Sequence, residues 1–122
     1  MVNYESLVTA PSRTMPGVSF TIRRVSLGLR AELVRRVREL SSRIEFLEAG
    51  DALQERIEAN SLAQEIDLLY IRWGLVRIGG LSIDGEAPDV EAFIARGPED
   101  LAREIAAAVK RQTGLTEEER KN

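Results

Sequence analysis

The sequence predicts a mainly α, small α+β fold with an N-terminal β-strand, two long antiparallel helices, a short hairpin and two or three shorter helices. Three observations carry that expectation. Apolar residues alternate over 18–22, recur at helical spacing from Leu29 to Trp73 with a break at Gly50-Asp51, and then give way to short pieces punctuated by Gly, Pro and acidic cap residues.

Each element follows in order. Residues 1–16 hold Pro11, Ser12, Thr14 and Pro16 without sustained periodicity, which reads as a flexible N-terminal arm preceding a single compact, mainly helical domain over 17–122. Val18, Phe20 and Ile22 then share one face of a half-buried strand, with Ser19, Thr21 and Arg23 on the other. From Leu29 the period becomes helical. Leu29, Leu33, Val37, Leu40, Ile44 and Leu47 fall within an arc of about 80° at roughly 100° per residue. Ser26 or Gly28 caps the start, and Gly50-Asp51 reads as a stop followed by a new N-cap.

The next helix, Ala52 to about Trp73, carries two stripes. Leu53, Ile57, Leu68 and Ile71 lie along one side, and Leu62, Ile66, Leu69 and Trp73 roughly opposite. Such a helix sits in the middle of a domain or offers one stripe to a partner. Beyond Gly74, Val76 and Ile78 alternate around Arg77 while Gly79-Gly80 and Asp84-Gly85 signal turns, so this stretch is a short hairpin or a continuation of the helix to Ile78. Asp89 opens a short helix through Ile94. Gly97-Pro98-Glu99-Asp100 starts another that Gly114 closes, because Pro suits a helix start and acids favour the positive end of its dipole. Thr116 to Glu119 has capping-box spacing for one more turn.

Composition bounds the chemistry. A chain of 122 residues with 43% hydrophobic and 30% charged residues is ordinary for one soluble domain. No apolar run approaches the roughly 18 to 20 residues of a membrane span, and Met1 to Val8 has no secretory-signal pattern, so a cytoplasmic location is expected. With no Cys, disulfides, thiolate metal sites and thiol nucleophiles are excluded; with no His, so are Ser-His triads and most zinc or iron sites. The expectation is a non-enzymatic protein with no catalytic residues, metal or cofactor.

The net charge of −3 hides an asymmetry: residues 1–44 hold eight Arg against three Glu, and residues 45–122 nine bases against 17 acids. Glu32 and Glu39 stand at i,i+3 or i,i+4 from Arg35, Arg36 and Arg43, which favours a solvated, ion-paired face over nucleic-acid binding. Arg23 and Arg24 keep an acidic protein partner in view. Asp51, Glu55 and Glu58 share a helix face but lack the convergence of an oxygen-ligand site, and Gly74, Gly79 and Gly80 match no phosphate-binding fingerprint.

The run Trp73-Gly-Leu-Val-Arg-Ile-Gly-Gly-Leu-Ser-Ile-Asp-Gly-Glu-Ala-Pro, then Phe93-Ile, Gly97-Pro-Glu-Asp-Leu-Ala-Arg-Glu-Ile105 and the closing Leu115-Thr-Glu-Glu-Glu-Arg-Lys-Asn resembles phage tail assembly chaperones, over roughly residues 17–122. The motif consists of turn and helix-cap residues. The resemblance implies a non-virion factor, acting in the host cytoplasm, that binds the tape-measure protein, keeps its apolar helices soluble and helps recruit tail-tube subunits. In many such systems a frameshift adds a longer form, and a homo-oligomer is compatible with this reading. A holdase needs an exposed apolar stripe, which places the expected partner site at Leu62, Ile66, Leu69, Tyr70 and Trp73. The alternatives are a structural virion or neck/tail component and a small nucleic-acid-binding regulator.

Overall fold

The computed structural model describes residues 1–50 and 52–114. Its elements are β1 (Leu7–Pro11), β2 (Ser19–Arg23), α1 (Leu27–Glu48), α2 (Leu53–Gly74), β3 (Leu75–Gly79), α3 (Val90–Arg96) and α4 (Glu99–Thr113). This is the expected mainly helical α+β class, with one antiparallel sheet in the order β1-β2-β3.

The strand at 18–22 sits at the sheet centre. Val18, Phe20 and Ile22 are buried on its core face, and Thr21 is buried on the other, where its hydroxyl meets that of Thr9 at 2.8 Å. The flexible-arm expectation for 1–16 is corrected here: Leu7 to Pro11 pair with Arg23 to Ser19 as an edge strand. Val8 and Ala10 pack against the core, and Pro11 is tolerated because it ends an edge strand whose outer side needs no partner. A five-residue strand flanked by polar and Pro residues leaves too little alternation to show in the sequence.

Ser26 caps α1, its hydroxyl accepting from the Leu29 amide at 3.1 Å. The predicted stripe is the inward face: Leu33 and Val37 are fully buried, and Leu29, Leu40, Ile44 and Leu47 are half-buried. It packs along α2 in an antiparallel helical hairpin, with α1 ending at Glu48 and α2 beginning at Leu53. Asp51, and with it the proposed N-cap, lies outside the described residues, as does the Thr116 turn.

At Gly74 the chain passes from helix to strand without a loop. Leu75 to Gly79 does not continue the helix; it adds to the free edge of β2, pairing Phe20 with Ile78 and Thr21 with Arg77. The hairpin expected nearby shrinks to a single bridge between Ile83 and Glu86 around the Asp84-Gly85 turn. Asp89 caps α3 by accepting from the Ala92 amide at 2.7 Å. Pro98 occupies the cap position of α4, with Glu99 and Asp100 in the first turn. The inward face of α4 is Leu101, Ile105, Ala108 and Val109, as the sequence suggested, and it closes the core against β2 and the lower half of α2. Each Leu or Ile buried there contributes about 1.5–3 kcal/mol.

Candidate functional site

The five residues expected to face a partner divide between core and surface. Leu62, Ile66 and Tyr70 are only 4%, 7% and 0% exposed, so they hold the domain together and present no surface. The placement of a partner on them is therefore corrected. Leu69 and Trp73 are half-buried and line an open groove of about 720 Å³ on the α1–α2 seam, with Arg35, Arg36, Leu40 and Leu68. The Arg36 guanidinium lies over the Trp73 ring, 5.3 Å from its centroid.

The opposite stripe is left uncovered only at its upper end. Its lower part, Leu68 and Ile71, faces α3 and α4 across an open groove of about 400 Å³ lined also by Phe93, Ile94 and Ala102. Its upper part, Leu53 and Ile57, stands 72% and 60% exposed above that groove. Thus α2 is central in its lower half and two-sided, with one side open, in its upper half.

Spacing could have distinguished the two stripes. In α1 the positions 33, 37, 40, 44 and 47, and in α2 the positions 62, 66, 69 and 73, alternate steps of four and three, the spacing of a coiled-coil seam. Two matching seams cover one another, which leaves Leu53, Ile57 and Leu68 as the surplus stripe.

The charges of α1 are less paired than the spacing suggested. Arg36 meets Glu32 at 3.3 Å, whereas Arg35 and Arg43 form no ion pair among the described residues. Arg72 of α2 reaches Glu91 of α3 at 3.1 Å, and Lys110 of α4 reaches Asp67 of α2 at 2.5 Å, so both pairs brace α2 against its neighbours at the margins of the grooves. Among the described residues no three His, Cys, Asp or Glu side chains converge, and no helix is long and apolar enough to cross a membrane.

Fold and surface define a small helical α+β protein with an open groove on each side of α2. No family model, curated protein or solved structure matches the chain.

Proposed function

We propose that the chain is a non-enzymatic assembly chaperone that takes an apolar helical segment of a partner onto the outer face of α2. The observation that carries this reading is the alignment of exposed Leu53 and Ile57 with the groove at Leu68. A partner helix laid along these residues would complete the half of α2 that α3 and α4 leave bare, the geometry of helix-in-groove recognition. The sequence resemblance names the partner class as the tape-measure protein of a phage tail.

The test is co-expression with the tape-measure protein encoded alongside this chain, comparing the wild type with the double variant Leu53→Ser, Ile57→Ser. Both residues are exposed, so the variant keeps its circular dichroism and melting temperature. Loss of co-purification and of soluble tape-measure protein is the expected result. Undiminished yield removes the reading. Finding the chain as a stoichiometric component of purified virions would favour the structural alternative instead.

A further inference from the structure

We infer that Trp73 and the arginines around it form a second docking site, for an acidic amphipathic segment of a partner protein. Two open grooves meet at Trp73 and Arg72. The one on the α1–α2 seam brings Arg35 and Arg36 from α1; the other, of about 450 Å³, brings Arg23 and Arg24 from the end of β2. Five arginines thus line the two grooves that share the single tryptophan of the chain: Arg36 lies over its ring and is paired with Glu32, Arg72 is paired with Glu91, Arg24 lies over the Tyr4 ring, and Arg23 and Arg35 complete the lining. All five are exposed, and neither Arg23 nor Arg35 has an ion-pair partner among the described residues.

The lining of the two grooves holds five Arg against Glu39 and Glu65, in a protein whose net charge is −3. Arg23, Arg24 and Arg35 carry charge that no ion pair among the described residues neutralises, and an incoming row of carboxylates pairs with it while steering encounter. Trp73, Leu69 and Leu40 supply the apolar floor on which the segment's other face rests.

The same surroundings disfavour a nucleic acid. Glu39 and Glu65 line the wider groove and would face any phosphate chain laid along it, while Arg36 already occupies a face of the indole on which a base would stack. A peptide can place carboxylates at Arg23, Arg24 and Arg35 and turn apolar or basic residues toward Leu40 and Glu65.

Leu69 and Trp73 lie on the opposite side of α2 from Leu53 and Ile57, with Leu68 bordering both grooves, so the site deepens the protein-binding reading yet can be tested apart from it through Leu53, Ile57 and the arginines. Trp73 itself is the probe. Its fluorescence is followed while the whole protein is titrated with a synthetic amphipathic helix of Glu, Leu and Ala, with the same peptide carrying Lys for Glu, and with single-stranded oligothymidylate. The acidic peptide alone is expected to give a saturable change, weakening as salt is raised through the range that screens surface charge. Arg23→Glu with Arg24→Glu, and separately Arg35→Glu, are expected to weaken it by about tenfold or more. The Leu53→Ser, Ile57→Ser variant binds as wild type does.

No saturable change, equal binding of the basic peptide, or arginine variants that bind normally while remaining folded would each overturn the inference. Tighter binding of the oligonucleotide would overturn it in favour of nucleic acid. Weakening by the Leu53 and Ile57 changes alone would move the peptide to the outer face of α2, leaving the proposed function standing without this site.

Discussion

The Ser12 hydroxyl donates to Oε1 of Glu104 at 2.6 Å, joining the turn after β1 to the middle of α4 across most of the chain. The Arg13 amide donates to Oε2 at 2.6 Å and the Thr14 hydroxyl to Oε1 at 2.8 Å, so one carboxylate gathers a three-residue turn. This clasp, together with the pairing of β1, holds the segment that the sequence presented as an arm.

Burial, the largest single influence on the Glu104 carboxyl, pushes it upward, but the Arg13 amide, the Ser12 and Thr14 hydroxyls and the Thr14 amide together hold it below its ordinary 4.5. The sign follows: a carboxyl depressed in the folded state stabilises above its unfolded value, and that contribution is lost as pH falls through the folded one. Glu104→Ala is expected to cost about 1 kcal/mol at neutral pH, near the low end for charged hydrogen bonds because the group meets solvent. The cost should shrink as pH falls below about 4.5. Denaturant midpoints of wild type and variant across pH measure it; a pH-independent difference would contradict the assignment.

Gly74 marks where α4 closes on α2. A Cβ there would lie 2.4 and 2.6 Å from the two methyls of Val109, itself buried and held by the core. Gly74→Ala is expected to lower stability by about 1–3 kcal/mol through overpacking. Adding Val109→Ala should recover some of the loss, because the alanine makes room for the new methyl. Thermal melts of the two single variants and the double give the coupling directly.

The two stripes of α2 separate by stability before any partner is involved. Leu62→Ala opens a void in the α1–α2 seam and is expected to cost about 2–5 kcal/mol, whereas Ile57→Ala on the open side should change stability by no more than about 0.5 kcal/mol. Equal losses would mean that Ile57 is covered in solution, for instance by a second copy of the chain.

That contrast also marks how far the sequence could be read. Periodicity identifies both stripes, the inward face of α1, the central strand and the caps at Ser26 and Asp89, because each is a local signal repeated over several residues. Choosing the stripe for a partner requires knowing which one α1 covers, and the two-sidedness of α2 does not say; only matching the four-and-three spacing of the two helices does. The β1 strand and the strand after Gly74 are harder for a different reason. Leu75 to Gly79 becomes a strand by adding to β2, a partner more than fifty residues earlier, and nothing within its own five residues separates that outcome from a further turn of helix. The arginine-lined surface is invisible in the sequence because Arg23 and Arg35 come from different elements and line two grooves that join only at Arg72 and Trp73.

Gly80 and Gly85 give a paired test of how the turn after β3 is built. Both have positive φ, 78° and 86°, so a side chain at either is strained by the left-handed backbone. They differ in surroundings: a Cβ at Gly85 meets nothing within 4 Å, whereas one at Gly80 would lie 2.2 Å from the carbonyl oxygen of Gly17. Gly85→Ala therefore carries the conformational cost alone, about 1–2 kcal/mol. Gly80→Ala must also push apart the turn leading into β2 and the turn leaving β3, and neither backbone can yield by rotating a side chain. It should be the more destabilising of the pair, with increased amide exchange at Val18 and Ser19 that Gly85→Ala does not produce. Equal losses for both variants, read from denaturant midpoints, would show that this close approach does not fasten β3 to the sheet.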